Sequence, residues 1–159
     1  MDGDKVISRN LRLTGDQIRD MSDPMAQIGQ VIRESAIDNI DKQWSEGWGK
    51  WKPLSQRTIE MRRKRSGYYS KGGTGWPTWP ILVWTWKLKE WFRSTPERQA
   101  VTIDNPVPYF GYHQSKIRSW GKLPRRLVLE MKQADKVKIM SIIAGQINKS
   151  LEWWNYWKQ

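Results

Sequence analysis

The chain has 159 residues, and its 28 Lys and Arg side chains against 16 Asp and Glu give a net charge of +12. It contains no Cys and one His, which excludes a disulfide scaffold, a thiolate nucleophile and Cys-ligated or multi-His metal sites. No apolar run is long enough to span a membrane and the first residues do not form a signal peptide, so we expect synthesis in the cytoplasm. The length predicts a single domain over residues 1–159.

The N-terminal third of the chain predicts a strand followed by a long helix. Ile7, Leu11 and Leu13 fall on one face at a period of two, interrupted by Arg9, and predict a strand over residues 5–13. Asp23 and Pro24 are suited to the N-cap and first position of a helix, and Gly47 and Gly49 to its end. Between them, apolar residues recur every three or four positions and predict an amphipathic helix of about 20 residues; they are Met25, Ile28, Ile32, Ala36, Ile40 and Trp44.

The middle of the chain is less regular. Ser55 is expected to cap a short helix through Met61, and a long basic loop rich in Gly and Trp is predicted over residues 62–80. Residues 81–92 fit a short helix, with Leu88, Trp91 and Phe92 on its inner face, but a strand fits them as well.

The C-terminal part predicts strands over residues 99–104 and 127–131, with a helical turn over 108–114 between them. A second amphipathic helix of about 20 residues begins near Asp135, and an aromatic C-terminal tail follows over 151–159. The irregular order of elements favours an α+β fold, in which a small antiparallel sheet packs against two long amphipathic helices.

The residues with catalytic potential do not form a recognisable pattern. The only histidine, His113, has no Ser or carboxylate at a suggestive spacing, and the acidic residues show no metal-binding spacing. A packed or capping histidine is therefore expected. The sequence predicts neither an enzyme nor a metal or other cofactor.

The positive charge is concentrated in one part of the chain. Residues 1–60 carry a net charge of −1, whereas residues 61–159 carry +13. We expect a basic cluster to contact DNA or another polyanion through phosphate neutralisation; its members are Arg62, Arg63, Lys64, Arg65 and Lys71. The alternatives are a solvated surface and a loop that meets an acidic subunit.

Tryptophan is unusually abundant, with 12 residues. Trp44, Trp91 and Trp154 occupy positions expected in the core, but the other nine, among them Trp48 and Trp51, are too many for the interior of one small domain. Surplus aromatic residues are typical of the centre of a protein–protein interface. The candidate interface residues are Trp76, Trp79, Trp120, Trp153 and Trp157.

Four segments together resemble the phage virion morphogenesis, or tail-completion, family over about residues 24–151. Residues 51–58 (WKPLSQRT) are similar to the family's Trp-x-Pro-Leu-Ser-x-x-Thr segment, and residues 81–88 (ILVWTWKL) to its Leu-x-x-Thr-Gly-x-Leu segment, with Trp86 in place of the Gly. Residues 105–114 (NPVPYFGYHQ) resemble its Pro-Tyr-Ala-x-x-His-Gln segment, with Phe110 at the Ala position. Residues 123–129 (LPRRLVL) resemble Pro-x-Arg-Pro-Phe-Leu, without the second Pro.

The resemblance implies a non-enzymatic virion protein of the head–tail neck, a tail terminator or joining subunit that assembles into a ring. In this family context His113 and Gln114 would stabilise a loop–helix junction. We expect a six-fold ring that joins tail to head and surrounds the DNA passage. Its expected partners are further copies of itself, neck or connector proteins, tail tube or sheath proteins and packaged DNA, and no membrane. The alternatives are a connector one layer higher in the neck and a non-specific DNA-binding protein.

Overall fold

The computed structural model describes residues 20–65, 81–82, 87–114 and 124–156, with the backbone alone at residues 65 and 153–155. The described residues form two compact units, and one boundary between them falls inside the first helix, after Val31. The first unit comprises residues 20–31, 94–103 and 133–156. The second comprises residues 32–65, 81–82, 87–93, 104–114 and 124–132. The strand predicted over residues 5–13 lies outside the described part.

The described part contains five helices and four short strands. The helices are α1 (Ser22–Lys42), α2 (Gln56–Arg65), α3 (Lys87–Glu90), α4 (Phe110–Gln114) and α5 (Gln133–Tyr156). The strands are β1 (Trp44–Ser45), β2 (Gly49–Lys50), β3 (Arg93–Pro96) and β4 (Val101–Asp104). This mixture agrees with the α+β class. The expectation of one sheet is wrong, because β1–β2 and β3–β4 are separate antiparallel pairs.

Helix α1 was predicted well, but both of its ends differ from the prediction. The Asp20 carboxylate accepts hydrogen bonds from the backbone N–H and the hydroxyl of Ser22, so the helix begins at Ser22 and Asp23 is not its cap. Pro24 lies within the first turn, where a helix needs no N–H donor.

The end of α1 is set by Gln43 rather than by Gly47 or Gly49. Gln43 has a φ of 52°, the left-handed conformation that commonly follows the last helical residue. Trp44 therefore lies beyond the helix in β1 and is 38% exposed, so its predicted place in the core is wrong. The last core residue of α1 is Ile40, which is fully buried.

A tight hairpin that the sequence did not predict follows α1. Ser45 pairs with Gly49 in the ladder, and the Trp48 N–H donates to the Ser45 carbonyl at 3.2 Å. Gly49 has a φ of 68°, as a three-residue hairpin loop requires after its turn. The strands are two residues long, too short to show an alternating pattern.

Helix α2 begins as predicted and extends further than predicted. The Ser55 hydroxyl accepts the Thr58 N–H at 3.3 Å, which is a normal N-terminal cap. The helix then includes the basic run to Arg65, so a loop beginning at residue 62 is wrong. Positive side chains in a last turn are favoured by the negative end of the helix dipole.

In the first unit, α1 and the β3–β4 hairpin approach each other at a glycine. A methyl group built on Gly29 would overlap the Ser94 hydroxyl and lie 2.9 Å from Val101 Cγ2. The Glu97 N–H donates a hydrogen bond to the Ala100 carbonyl at 2.8 Å, which closes the hairpin. Strand β4 confirms the strand expected over residues 99–104, whereas β3 was not expected.

The second unit contains most of the buried apolar residues. Phe92 and Phe110 pack edge to face at 5.5 Å between ring centroids. Helix α3 supports the helical alternative for residues 87–90, and Leu88 and Phe92 are buried as expected. Trp91 is 43% exposed, so its predicted inward position is wrong; it follows the end of α3, and Lys87 Nζ lies 5.4 Å from its ring centroid. The buried apolar set is Ala36, Ile40, Trp51, Ile81, Leu82, Leu88, Phe92, Val107 and Val128.

Residues 124–132 form an irregular segment with a bend at Leu129 and join none of the described strands, so the strand predicted over 127–131 is wrong. Its backbone is held by side chains instead. The Asn39 amide N–H donates to the Val128 carbonyl at 2.9 Å. The Gln114 side-chain carbonyl, in the orientation that meets both donors, accepts the N–H groups of Val128 at 2.8 Å and Leu129 at 2.6 Å.

Helix α5 is longer than predicted, with 24 residues. It extends to Tyr156, so a separate tail that begins at residue 151 is wrong for residues 151–156. Its apolar residues at three- and four-residue spacing support a helix across this range. None of the described helices is both long and apolar enough to cross a bilayer.

The close approach at Gly29 predicts the effect of two Gly→Ala substitutions. We expect Gly29→Ala to destabilise the protein, because the added methyl group overlaps Ser94. Gly145 in α5 has open space around its Cβ position, so Gly145→Ala should stabilise by about 0.5–1 kcal/mol through helix propensity. Urea unfolding of both variants measures the change in the free energy of unfolding. Equal stabilisation by the two substitutions would contradict the close contact between Gly29 and Ser94.

The anchoring of residues 124–132 predicts a second stability effect. Replacing the buried Asn39 with Ala leaves the Val128 carbonyl without its amide donor, so we expect a loss of about 1–3 kcal/mol in the free energy of unfolding. Asn148→Ala on the exposed side of α5 is the control and should change stability by less than about 0.5 kcal/mol. Similar values for the two variants would show that the anchor is weak.

Candidate functional site

A cationic cavity of about 760 Å³ lies in the second unit, and we call it the arginine pocket. Five positively charged side chains line it together with His113, and no Asp or Glu is among its described lining residues. The charged residues are Lys50, Lys52, Arg62, Arg125 and Arg126. The other walls are Trp48, Trp51, Pro53, Leu54, Ser55, Thr58, Ile81, Leu82 and Pro124.

Arg126 is the most deeply placed of these charges, with only 4% of its surface exposed. Its backbone N–H donates to the His113 carbonyl at 3.1 Å, and Nη2 donates to the Lys52 carbonyl at 3.1 Å. Its Nε has no hydrogen-bond partner in the described part of the chain. Burial, followed by the nearby positive charge of Arg62, lowers the pKa of Arg126 to about 10, so it is still charged at neutral pH.

Arg62 comes from α2 and lies on the other side of the same pocket. Its Nη2 donates to the Ile81 carbonyl at 2.9 Å, which fixes the side chain against the start of residues 81–82. Burial lowers its pKa. The two guanidinium groups are therefore held by backbone carbonyls, which leaves the pocket with a net positive charge.

His113 is buried beside Arg126 and holds the end of α4 in place. Burial, and then the charge of Arg126, lower its pKa, while a hydrogen bond to the Pro124 carbonyl opposes this shift. Its Nδ1 has no partner within the described residues. His113 and Gln114 connect α4 to residues 124–129.

Trp48 forms the exposed rim of the pocket, with 57% of its surface in solvent. The guanidinium carbon of Arg125 lies 4.5 Å from its ring centroid in a cation–π contact. Trp51, counted among the surplus tryptophans, is instead buried in the pocket wall, and its Nε1 lies 3.3 Å from the Ser45 hydroxyl. The rim is therefore aromatic and the base is cationic.

The three predicted polyanion residues whose side chains are described lie in α2. Arg62 lines the pocket, while Arg63 and Lys64 are exposed. The Arg65 side chain and Lys71 lie outside the described part. Among the predicted interface residues, Trp76, Trp79, Trp120 and Trp157 lie outside it as well, and only the backbone of Trp153 is described.

The second candidate surface is on α5 in the first unit, and we call it the apolar stripe. Its residues are exposed and separated by alternating steps of three and four: Val137, Met140, Ala144, Ile147 and Leu151. Val137 is 62% and Met140 66% exposed. At about 100° per residue, the stripe lies about a third of a turn from the more buried side that carries Asp135, Ile139 and Ser150.

Sequence reasoning identified Arg62 but missed Arg126 as a pocket residue. The sequence carries no signal for it, because the apolar alternation of Leu127, Leu129 and Met131 predicts that those residues point inward, whereas the structure buries Arg126 and Val128. Lys50 and Lys52 carried no signal either, since exposed lysines are common on any surface.

Comparison with known proteins gives no match to any family profile, curated protein or solved structure. Within the described ranges, no three His, Asp or Glu side chains stand close enough to hold a metal ion.

The lowered pKa of His113 predicts how stability depends on pH. The unfolded chain takes up a proton at His113 near pH 6.5, before the folded chain does, so the free energy of unfolding should fall as the pH drops from about 7.5 to 5.5. Denaturant titrations at several pH values measure this slope. His113→Gln should flatten it, and an unchanged slope in this variant would assign the effect to other groups.

Proposed function

We propose that the chain is a structural subunit of the phage head–tail neck, a tail terminator or tail-completion protein that assembles into a ring. The observation that carries the proposal is the apolar stripe. Large apolar side chains that stay in solvent along one helix face are typical of a surface that another chain covers. The resemblance of four ordered sequence segments to the tail-completion family supports the same assignment.

The spacing of the apolar stripe favours a partner helix. Steps of three and four residues repeat over Val137 to Leu151, which is the pattern of a helix–helix seam. Ser141 and Asn148 flank one edge of the stripe without charge, so two copies of α5 would meet without repulsion along that edge, while Lys136 lies on the other edge. A second copy of the chain is therefore the occupant that we propose.

The ring assignment also agrees with the charge of the chain. A subunit that surrounds a DNA passage benefits from a positive lining, and the chain carries a net charge of +12. Arg63 and Lys64, exposed on α2, are the described residues best suited to a non-specific phosphate contact. Virion localisation, six-fold symmetry and the neck and tail partners follow from the proposal.

The position within the neck is part of the proposal and has an independent test. A tail terminator binds tail tube or sheath subunits, whereas a connector binds the portal side. Co-expression with the products of neighbouring genes distinguishes these two positions. A genome that places the gene between capsid and tail genes would support the assignment, and a metabolic operon would contradict it.

The apolar stripe predicts how self-association responds to charge. Met140→Glu places a carboxylate at the centre of the stripe and should convert the oligomer into monomer without loss of helix content. Gly145→Glu adds the same charge to α5, about a third of a turn away, and should leave the oligomer intact. Light scattering over a range of concentrations reads out both variants. A wild-type chain that stays monomeric throughout would contradict self-assembly through this stripe.

A further inference from the structure

The arginine pocket carries an inference that does not depend on the ring, because it lies in the second unit and has a different chemistry. Three properties of the pocket matter: its unbalanced charge, its buried donor and the shape of its walls.

The first property is that no carboxylate stands among the described residues that line the pocket. Five cations line the pocket with no Asp or Glu among the described lining residues. Residues 66–80, 83–86 and 115–123, which adjoin the pocket elements along the chain, contain no Asp or Glu in their sequence. None of these segments is able to supply a carboxylate to the pocket.

The second property is a buried cation whose hydrogen bonds are incomplete. Only 4% of the Arg126 surface is exposed, and its Nε donates no hydrogen bond to any residue in the described part of the chain. A buried charge without a partner is costly, and an oxyanion that reaches the guanidinium relieves that cost. Burial and Arg62 also lower the pKa of Arg126, in the direction that an incoming anion would reverse.

The third property is that the charges are recessed between apolar walls. Trp48 stands at the rim, and Leu54, Ile81 and Leu82 line the sides. A duplex presents its phosphates on a broad convex surface, which suits exposed residues such as Arg63 and Lys64 better than a recessed arginine. A peptide inserts one carboxylate and packs the neighbouring apolar side chains, and the cavity has the volume for a few such residues.

We propose that the arginine pocket binds an acidic peptide segment of a partner protein, with one carboxylate on Arg126 and an adjacent apolar side chain against Trp48. Lys50 and Lys52 attract the segment to the pocket, and Arg62 contributes positive charge from α2. A chain with a net charge of +12 repels further copies of itself over most of its surface, so a separate, acidic protein is the occupant that charge complementarity favours.

The test measures binding of a labelled probe peptide in which Glu alternates with Leu and Phe. The comparison probes are the same peptide with Gln in place of Glu, and a DNA duplex. Fluorescence polarisation at about 0.15 M salt, where long-range attraction is screened, gives the affinities. We expect the Glu peptide to bind at least about tenfold more tightly than the Gln peptide.

Variants then localise the binding. Arg126→Met should weaken binding of the Glu peptide by about 30-fold or more, because it removes the buried charge. Lys52→Ala should weaken the same binding by about threefold, because Lys52 is exposed. Lys64→Ala removes one exposed charge from α2 outside the lining and should change binding less than twofold. If Arg126→Met does not fold, Lys52→Ala and the His113 signal provide the test.

His113 gives a direct readout because it is the only histidine and lines the pocket. Its NMR signal should move on addition of the Glu peptide. Equal binding of the Glu and Gln peptides, an unmoved His113 signal, or equal losses in Lys64→Ala and Lys52→Ala would overturn the proposal. Tighter binding of DNA with the same dependence on Arg126 would overturn it in favour of a phosphate site.

Discussion

The second unit depends on how residues 124–132 satisfy their backbone without a neighbouring strand. Buried carbonyl and N–H groups require partners, and here two side-chain amides supply them, Asn39 from α1 and Gln114 from α4. Gly47 adds a third attachment, since its N–H donates to the Glu130 carboxylate at 2.6 Å. The segment thereby draws together a helix, a hairpin and a helical turn. It also places Arg126 at the base of a cavity, so the anchoring and the pocket have one structural origin.

Local signals in the sequence predicted the helices and failed where contacts between distant residues decide the conformation. The apolar spacing of α1, the Ser55 cap of α2 and the periodicity of α5 act within a few residues, and each helix was found. The strand predicted over residues 127–131 is wrong for this reason. The partners of this segment are side chains far away in the chain, and alternation alone does not distinguish such a segment from a strand. The hairpin β1–β2 is too short for its pattern to be visible.

The candidate site was predicted in part, because charge is visible in a sequence and burial is not. Arg62 was identified in a run of four basic residues, but in the helix Arg62 lines the pocket while Arg63 and Lys64 are exposed. Trp44 and Trp91 were assigned to the core by helical spacing, yet both lie just beyond the end of a helix, where that spacing no longer applies. Trp51 was counted among the tryptophans that are too many for the interior, yet it is buried. An aromatic residue has the same identity in both environments, so its neighbours in space decide its role.

The two candidate surfaces differ in the physical effect on which association would depend. Contact through the apolar stripe would gain from the removal of hydrocarbon from water, at about 25 cal/mol per Å² buried, and is weakly sensitive to salt. Contact in the arginine pocket would gain from pairing a recessed guanidinium with a carboxylate, which selects the partner by charge. If both proposals hold, the chain would have separate means of recognising a copy of itself and an unlike protein. For a subunit placed between different components, this division would allow the two kinds of contact to be tuned independently, since a substitution on α5 leaves the lining of the pocket unchanged.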